Sequence, residues 1–364
     1  MLIAGGGTGG HLYPAIAIAD SLRERRPGSD IRFIGSIHGL EATVLPRRNE
    51  IFYPLNIRGF QRGYSAIALR CNLTFPWRLL ATYRRCREII RTFRPQVVVG
   101  TGGYASGLPV IAAQRKKLPT LIQEQNSYPG VTTRRLAKKA RLVCLTYKES
   151  AEQLDTDRWV VTGNPVRFTS QPPDRATARR LMNLPPDQPV VFVLGGSQGS
   201  TPLNNHFMGN WRRYTEDMGL GLLWQTGHRD FQRLRKQVDP AAPVLMLPFI
   251  EDMAAAYSAA DLVISRAGAM TISELSVMGR PALLVPLPSA AADHQTRNAQ
   301  ALRSKRAARL VAQQKLPAGA LEEAVRGLFA EPAILAEMGQ RALALAKPEA
   351  RYTIVKHILE LAEA

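Results

Sequence analysis

The chain has 364 residues, more than the roughly 250–300 at which one hydrophobic core stops growing, so two domains are expected. Hydrophobic residues make up 45% and charged residues 21%, a globular balance that excludes a disordered chain. The net charge of +19 points to nucleic acid, anionic lipid or a phosphorylated ligand as partner.

That charge is uneven. Residues 1–164 carry 25 Lys+Arg against 11 Asp+Glu, and residues 165–364 carry 23 against 18. A general preference for arginine would raise both halves alike and leaves this asymmetry unexplained. Cys71, Cys86 and Cys144 are odd in number and widely spaced. They imply neither a disulfide framework nor a cysteine metal site, and a reducing cytoplasm is the simplest compartment.

In chain order, residues 1–19 carry no acidic or basic side chain apart from His11, and contain five glycines and Pro14. They lack the basic start and unbroken apolar middle of a signal peptide, and read as strand, glycine loop and helix start. Only four residues precede Gly5, few for a central strand, and the sequence leaves open whether others precede Met1. Further aliphatic runs follow at 31–34, 51–57, 97–99, 120–122, 142–146 and 159–162. The second half adds 189–194, 220–225, 244–248, 262–265, 282–286 and 309–311. Most runs are continuous rather than alternating, as in parallel strands buried on both faces, and helical stretches separate them. Two doubly wound α/β domains are therefore predicted, over 1–163 and 164–347. Gln171-Pro172-Pro173-Asp174 marks a turn-rich linker just beyond the boundary. A closing helix, about 348–364, is free to pack on either domain, the N-terminal one included.

Three glycine loops follow predicted strands. They are Gly5-Gly6-Gly7-Thr8-Gly9-Gly10-His11, Gly100-Thr101-Gly102-Gly103-Tyr104-Ala105-Ser106-Gly107 and Gly195-Gly196-Ser197-Gln198-Gly199-Ser200. A strand–loop–helix unit turns free backbone N–H groups toward the loop, which suits phosphate. One such loop is often a plain tight turn; three after strands imply anionic ligands. Gly5, Gly7 and Gly10 also fit G-x-G-x-x-G, but the second strand ends Ile34-Gly35-Ser36 without the acid a dinucleotide site requires. The third loop lacks the Lys-Ser/Thr of an ATP-binding P-loop.

Several motifs then appear in a fixed order: Gly6-Gly7-Thr8-Gly9-Gly10-His11 with Pro14, Gly102 to Gly107, Glu124-Gln125-Asn126, and Gly163-Asn164-Pro165-Val166-Arg167. After Gly195-Gly196-Ser197-Gln198-Gly199 come Phe249-Ile250-Glu251-Asp252-Met253, Ser265-Arg266-Ala267-Gly268-Ala269-Met270-Thr271-Ile272-Ser273-Glu274 and Asp293-His294-Gln295-Thr296-Arg297-Asn298. This ordered set resembles the MurG family of bacterial cell-wall glycosyltransferases. Gln123 departs from it, because that family usually has histidine before Glu-Gln-Asn.

The resemblance implies two Rossmann-like domains facing across a cleft, the GT-B type. It implies inverting transfer of GlcNAc from UDP-GlcNAc to undecaprenyl-diphosphate-MurNAc-pentapeptide, a β-1,4 bond, and work at the cytoplasmic face of the bacterial plasma membrane. No tightly bound metal is expected, with a divalent cation at most stimulatory.

The same resemblance assigns roles. Ala269, Met270 and Thr271 open a helix toward the UDP diphosphate, where a helix terminus is worth roughly 0.3–1 kcal/mol per charge. Glu274 accepts from the ribose hydroxyls, against the plainer reading of a capping or surface glutamate. Ile250 is expected at uracil, and Ser197 and Arg167 at the diphosphate, where a guanidinium fork donates twice. Gln295, Asn298 and Asn126 are expected to read the sugar. Thr8, Gly9 and Gly10 are also placed with UDP-GlcNAc, and Gly7, Gly102, Gly103 and Tyr104 with the acceptor's diphosphate. His11 is the expected base, since histidine titrates in the useful range; Glu124 competes for that role.

Residues 58–94 hold nine arginines and one acid, Glu88. Phe75, Trp77, Leu79 and Leu80 beside Arg78, Arg84 and Arg85 suit docking on an anionic membrane surface, as a polyprenyl-linked acceptor requires. The plainer reading makes the apolar residues core and the arginines a solvated face. Rival functions are a glycolipid synthase using UDP-sugar and diacylglycerol, a UDP-GlcNAc 2-epimerase, and a nucleic-acid-binding protein. Base-stacking and groove-reading motifs are not evident, so nucleic acid is not the expected partner. Protein partners are not legible.

Overall fold

The computed structural model describes residues 1–57, 75–168, 172–290 and 293–363. Each of the thirteen aliphatic runs forms a strand. The first sheet contains β1 (Leu2–Ala4), β2 (Arg32–Ser36), β3 (Phe52–Leu55), β4 (Val98–Gly100), β5 (Thr120–Glu124), β6 (Leu142–Leu145) and β7 (Trp159–Val161). The second contains β8 (Val190–Leu194), β9 (Gly221–Gln225), β10 (Val244–Leu247), β11 (Leu262–Ser265), β12 (Ala282–Leu284) and β13 (Arg309–Leu310). Every pairing is parallel, in the orders β3-β2-β1-β4-β5-β6-β7 and β10-β9-β8-β11-β12-β13.

Continuous aliphatic runs are required because each sheet is covered on both faces. In β8, Val190, Phe192 and Leu194 enter one core while Val191 and Val193 enter another. In β1, Leu2 and Ala4 face one layer and Ile3 the other. The helices of the first layer set are α1 (Gly9–Arg25), α2 (Glu41–Arg47), α3 (Phe75–Phe93), α4 (Gly103–Arg115) and α5 (Val131–Ala137). Those of the second are α6 (Arg175–Leu181), α7 (Thr201–Arg212), α8 (His228–Arg235), α9 (Met253–Ala259), α10 (Ala269–Val277), α11 (His294–Ser304), α12 (Ala320–Phe329) and α13 (Pro332–Ala344), followed by a last helix α14 (Ala350–Glu363). No helix among the described residues is long and apolar enough to cross a membrane.

The chain forms two compact units, Met1–Arg167 with Glu349–Ala364, and Phe168–Pro348. The division falls four residues beyond the 163/164 boundary read from the sequence, so Asn164 to Arg167 belong with the first unit. The closing helix α14 returns to that unit, where Ile354, Val355 and Ile358 join the core of α1 beside Leu12, Ile16 and Leu22. Helix α1 is consequently buried along most of its length, Leu12 and Pro14 to Ala19 included. It lacks the polar outer face of a surface helix because α14 covers it. Cys86 and Cys144 are free and buried, and burial pushes both thiols up to about 12.

Ile354 is fully buried. Ile354→Ala is expected to cost about 2–5 kcal/mol and to lower the calorimetric transition of the first unit alone. Equal movement of both transitions, or of neither, would contradict the assignment of α14.

Candidate functional site

In an open parallel sheet, ligands bind beyond the carboxyl ends of the strands where the winding direction reverses. The first sheet reverses between β1 and β4, and the second between β8 and β11. Register brings the flanking loops out at one level within each sheet: Ala4 pairs with Gly100, and Leu194 with Ser265. The three glycine loops, together with the Arg266–Gly268 turn, are the four loops that flank these two points.

At the first point Thr101 joins the loops. Its N–H donates to the Ala4 carbonyl at 2.9 Å, and its hydroxyl donates to the His11 carbonyl at 2.8 Å. Any side chain at Gly5 would collide with that hydroxyl. Thr8 is the N-cap of α1 and is exposed, and Gly10 is exposed beside buried Gly9. The first turn of α1 contains no acid, so its N-terminal amides keep a positive potential.

Gly7 differs from the expectation. Its N–H donates to Glu41 Oε2 at 2.7 Å, and Glu41 Oε1 accepts from the Ser36 amide at 2.8 Å. The amide assigned to a diphosphate is therefore occupied by a fully buried carboxylate, and Gly7 serves the loop's own geometry. Tyr104 packs against Gly7, within 3.0 Å of where a Cβ would lie.

His11 is half-buried. Its Nδ1 lies 3.2 Å from the Thr101 carbonyl and 3.0 Å from Gln125 Oε1. Gln125, Gln123 and Asn164 are all buried. Glu124 is buried too, with its carboxylate accepting from the Asn126 amide, Asn126 Nδ2 and the Gly130 amide, each at 3.1 Å. These three bonds employ the carboxylate as a loop anchor, which favours His11 over Glu124 as base. Asn126 has its side-chain amide nitrogen on Glu124. The Arg167 guanidinium stacks over the Tyr13 ring at 4.0 Å, within the first unit.

At the second point α10 begins at Ala269 with Gly268 as N-cap. Ala269 and Met270 are buried and Thr271 half-buried, at the turn that leaves β11. Glu274 follows one turn on and accepts from the Tyr257 hydroxyl at 2.9 Å. Tyr257 is fully buried, edge-on to Phe168 and Phe192. Burial and the Glu274 charge raise its phenol well above the usual range, so it remains a donor. Helix α9 presents Tyr257, and Asp252 caps that helix through the Ala255 amide at 2.9 Å.

Ser197 is half-buried in the loop after β8. The Ile250 amide donates to Gln225 Oε1 at 2.8 Å, so only its carbonyl keeps the uracil-reading assignment. Asn298 is fully buried and donates to the Ala267 carbonyl at 3.4 Å, which makes it an anchor of the α10 turn. Gln295 Oε1 accepts from the Leu287 amide at 3.0 Å. Arg266, also buried, donates from Nε to Ser200 Oγ at 3.0 Å. Its other nitrogens donate to the Val285 and Pro286 carbonyls and to Gln313 Oε1. Desolvation lowers its guanidinium to about 10.

Helix α3 turns Thr82, Cys86, Ile89 and Ile90 inward. Trp77 is 76% and Leu80 42% exposed, and Arg78, Arg84 and Arg85 share that outer side. Leu79 packs against the core because it lies one turn before Tyr83 on the inward face. It is corrected from a docking residue to a core one. The side chain of Phe75 and the basic and aromatic residues of 58–74 lie outside the described residues.

Sequence reasoning missed Glu41, Tyr257, Gln225 and Arg266. Arg266 lies within one of the ordered motifs, and an arginine between two buried runs is a visible signal. Glu41, Tyr257 and Gln225 carry no such signal, since their partners are distant in sequence.

The chain matches the model of the glycosyltransferase family 28 N-terminal domain over residues 1–144 and that of the C-terminal domain over residues 190–357. It is 42% identical over 364 residues to the UDP-N-acetylglucosamine–N-acetylmuramyl-(pentapeptide) pyrophosphoryl-undecaprenol N-acetylglucosamine transferase of Chlorobium luteolum, spanning 100% of this chain and 99% of that one. The protein of that name in Bacteroides fragilis is 40% identical, with 100% and 96% covered. The crystal structure of Acinetobacter baumannii MurG has a TM-score of 0.74 at 28% identity, with 99% and 98% covered. The UDP-GlcNAc 2-epimerase of Neisseria meningitidis, with a TM-score of 0.61 at 14% identity over 99% and 98% of the chains, shares the fold alone. Identity at this level from end to end shows that the chain belongs to glycosyltransferase family 28, among the pyrophosphoryl-undecaprenol N-acetylglucosamine transferases.

Proposed function

We propose that the protein transfers GlcNAc from UDP-GlcNAc to the muramyl sugar of undecaprenyl-diphosphate-MurNAc-pentapeptide, with inversion. The observation that carries this reading is the pair of glycine-flanked switch points in a chain that matches relatives of this name along its whole length. The second unit takes the donor. The N-terminus of α10 and the Ser197 loop meet the diphosphate, Glu274 accepts from the ribose hydroxyls, and the Ile250 carbonyl meets the uracil edge. Gln295 and Asn126 read the sugar. The first unit takes the acceptor, with the α1 N-terminus and the Gly102-Gly103 turn beside its diphosphate.

The acceptor hydroxyl attacks the anomeric carbon, and its proton passes to His11. The C–O bond to UDP breaks with its electron pair on the leaving phosphate. Backbone amides, helix dipoles and Arg167 stabilise that charge, so no resident metal is required. The outer side of α3 docks on an anionic bilayer at the cytoplasmic face, with Trp77 and Leu80 entering the interface.

Purified protein is expected to release UDP from UDP-GlcNAc when a short-chain lipid-diphosphate-MurNAc-pentapeptide is added, and to yield the disaccharide. Binding without transfer would move the acceptor to another class, and absence of UDP-GlcNAc binding would end the reading. His11→Ala should lower turnover by about 10²–10⁴-fold and leave UDP binding nearly unchanged; full turnover would remove His11 as base.

Tyr257→Phe takes a donor from Glu274. It is expected to weaken UDP roughly tenfold, equivalent to about 1.4 kcal/mol, while affecting 2′,3′-dideoxy-UDP little. Equal loss for both nucleotides would separate Glu274 from the ribose.

At low salt the protein should sediment with anionic vesicles and not with neutral ones. Arg84→Glu with Arg85→Glu should release it, since each basic residue near such a surface is worth about 1 kcal/mol. Equal recovery on both vesicle types would count against docking.

A further inference from the structure

The His11 ring ends a chain of buried side-chain amides whose orientation is fixed from its far end. The Gln125 backbone carbonyl can only accept. Asn164 meets it with Nδ2 at 3.3 Å, which turns Asn164 Oδ1 to the opposite side. There Oδ1 accepts from Thr146 Oγ1 at 2.7 Å and from Gln123 Nε2 at 2.9 Å. Gln123 therefore directs its Oε1 at Gln125, and Gln125 meets it with Nε2. That nitrogen also donates to the backbone carbonyls of Thr101, at 2.8 Å, and Gln123, at 3.2 Å. Reversing the Gln125 amide would set its oxygen against three oxygens. Its Oε1 thus faces His11 Nδ1, 3.0 Å away.

The other group on Nδ1 is the Thr101 carbonyl at 3.2 Å, again an acceptor. Both partners of Nδ1 require a hydrogen there, and a neutral imidazole has only one. The ring is also held in place laterally. A Cβ at Gly102 would lie 2.8 Å from Nδ1 and one at Gly103 3.0 Å from Cδ2. With φ of +94° and +72°, both positions use the left-handed backbone that glycine permits.

We propose that Gln125, oriented by Gln123 and Asn164, is a positioning residue that fixes neutral His11 as the Nδ1–H tautomer and leaves the Nε2 lone pair to take the acceptor proton. The proposal rests on the reading of His11 as base. Gln123 also acquires a role, because its two-ended amide passes orientation from Asn164 to Gln125. Which nitrogen carries the proton is set by the partner of the other, as is general for catalytic histidines.

The test is ¹⁵N spectroscopy of the full-length protein labelled in its histidine rings, with the His11 signals assigned by their loss in His11→Gln. The wild type is expected to show a protonated Nδ1 and an unprotonated Nε2 in the neutral ring; the reverse tautomer overturns the proposal without recourse to any variant. In Gln125→Met the tautomer should become mixed, and kcat should fall roughly tenfold or more with the KM for UDP-GlcNAc unchanged. Gln125→Asn, which keeps an amide oxygen, should recover part of that loss. A purely structural role would move KM and thermal stability without moving the tautomer, and that result overturns the proposal. A mixed tautomer with unchanged kcat overturns its catalytic use. Failure of the underlying reading looks different: His11→Ala would keep full turnover, whatever tautomer the wild-type ring shows.

Discussion

Thr101 connects two loops separated by ninety residues of chain, and the architecture of the first unit's carboxyl edge follows from that connection. Its amide continues the β1–β4 ladder one step past the last paired residues, its hydroxyl holds the His11 carbonyl, and its own carbonyl meets the His11 ring. One residue thereby sets the height of the glycine loop, the start of α1 and the plane of the imidazole. The second unit solves the same problem with charge. Arg266 ties the loop after β8 to the carbonyls following β12 and to Gln313. Those partners are all neutral oxygens, and at about 10 the guanidinium remains a cation near neutrality. Positive potential at that edge is thus present before any ligand arrives.

The framework was legible because it obeys one rule. Strands covered on both faces read as near-continuous apolar runs, and all thirteen strands, the partly exposed edge strands included, coincide with such runs. The loops that mattered followed strands and contained glycine. What stayed hidden was the occupancy of individual amides. Gly7 and Ile250 stand where ligand donors were expected, yet Glu41 and Gln225 already accept from them. Those partners lie 34 and 25 residues away, and periodicity says nothing about contacts across a fold. Asn298 illustrates the same limit, because an asparagine in a motif reads alike whether it faces solvent or the Ala267 carbonyl. Leu79 was misplaced for a different reason: an apolar residue between exposed Trp77 and Leu80 has a face that only helical phase decides.

Composition had offered two accounts of the basic N-terminal half, a solvated face and a binding surface. Helix α3 satisfies elements of both. Its inward stripe of Cys86, Ile89 and Ile90 is ordinary core. Its outer side combines arginines with a tryptophan and a leucine that the fold does not need. Amphipathic order alone would have allowed polar residues at 77 and 80, so their apolar identity is what the outer surface adds to the charge.

The return of α14 to the first unit has a consequence for synthesis. Arg351 reaches Glu24 across 327 positions of sequence, and Ile354, Val355 and Ile358 complete a core begun by Leu12 and Ile16. A ribosome at roughly 5–20 residues per second makes that core's first half long before its last part. The second unit is complete in sequence at Pro348, before α14 exists. Although it comes second in the chain, it can therefore reach its final form first, while the nascent first unit waits with the apolar back of α1 uncovered. Such a long-range closure raises contact order and slows folding. Until it occurs, the part of α1 that α14 covers stays open to chaperones.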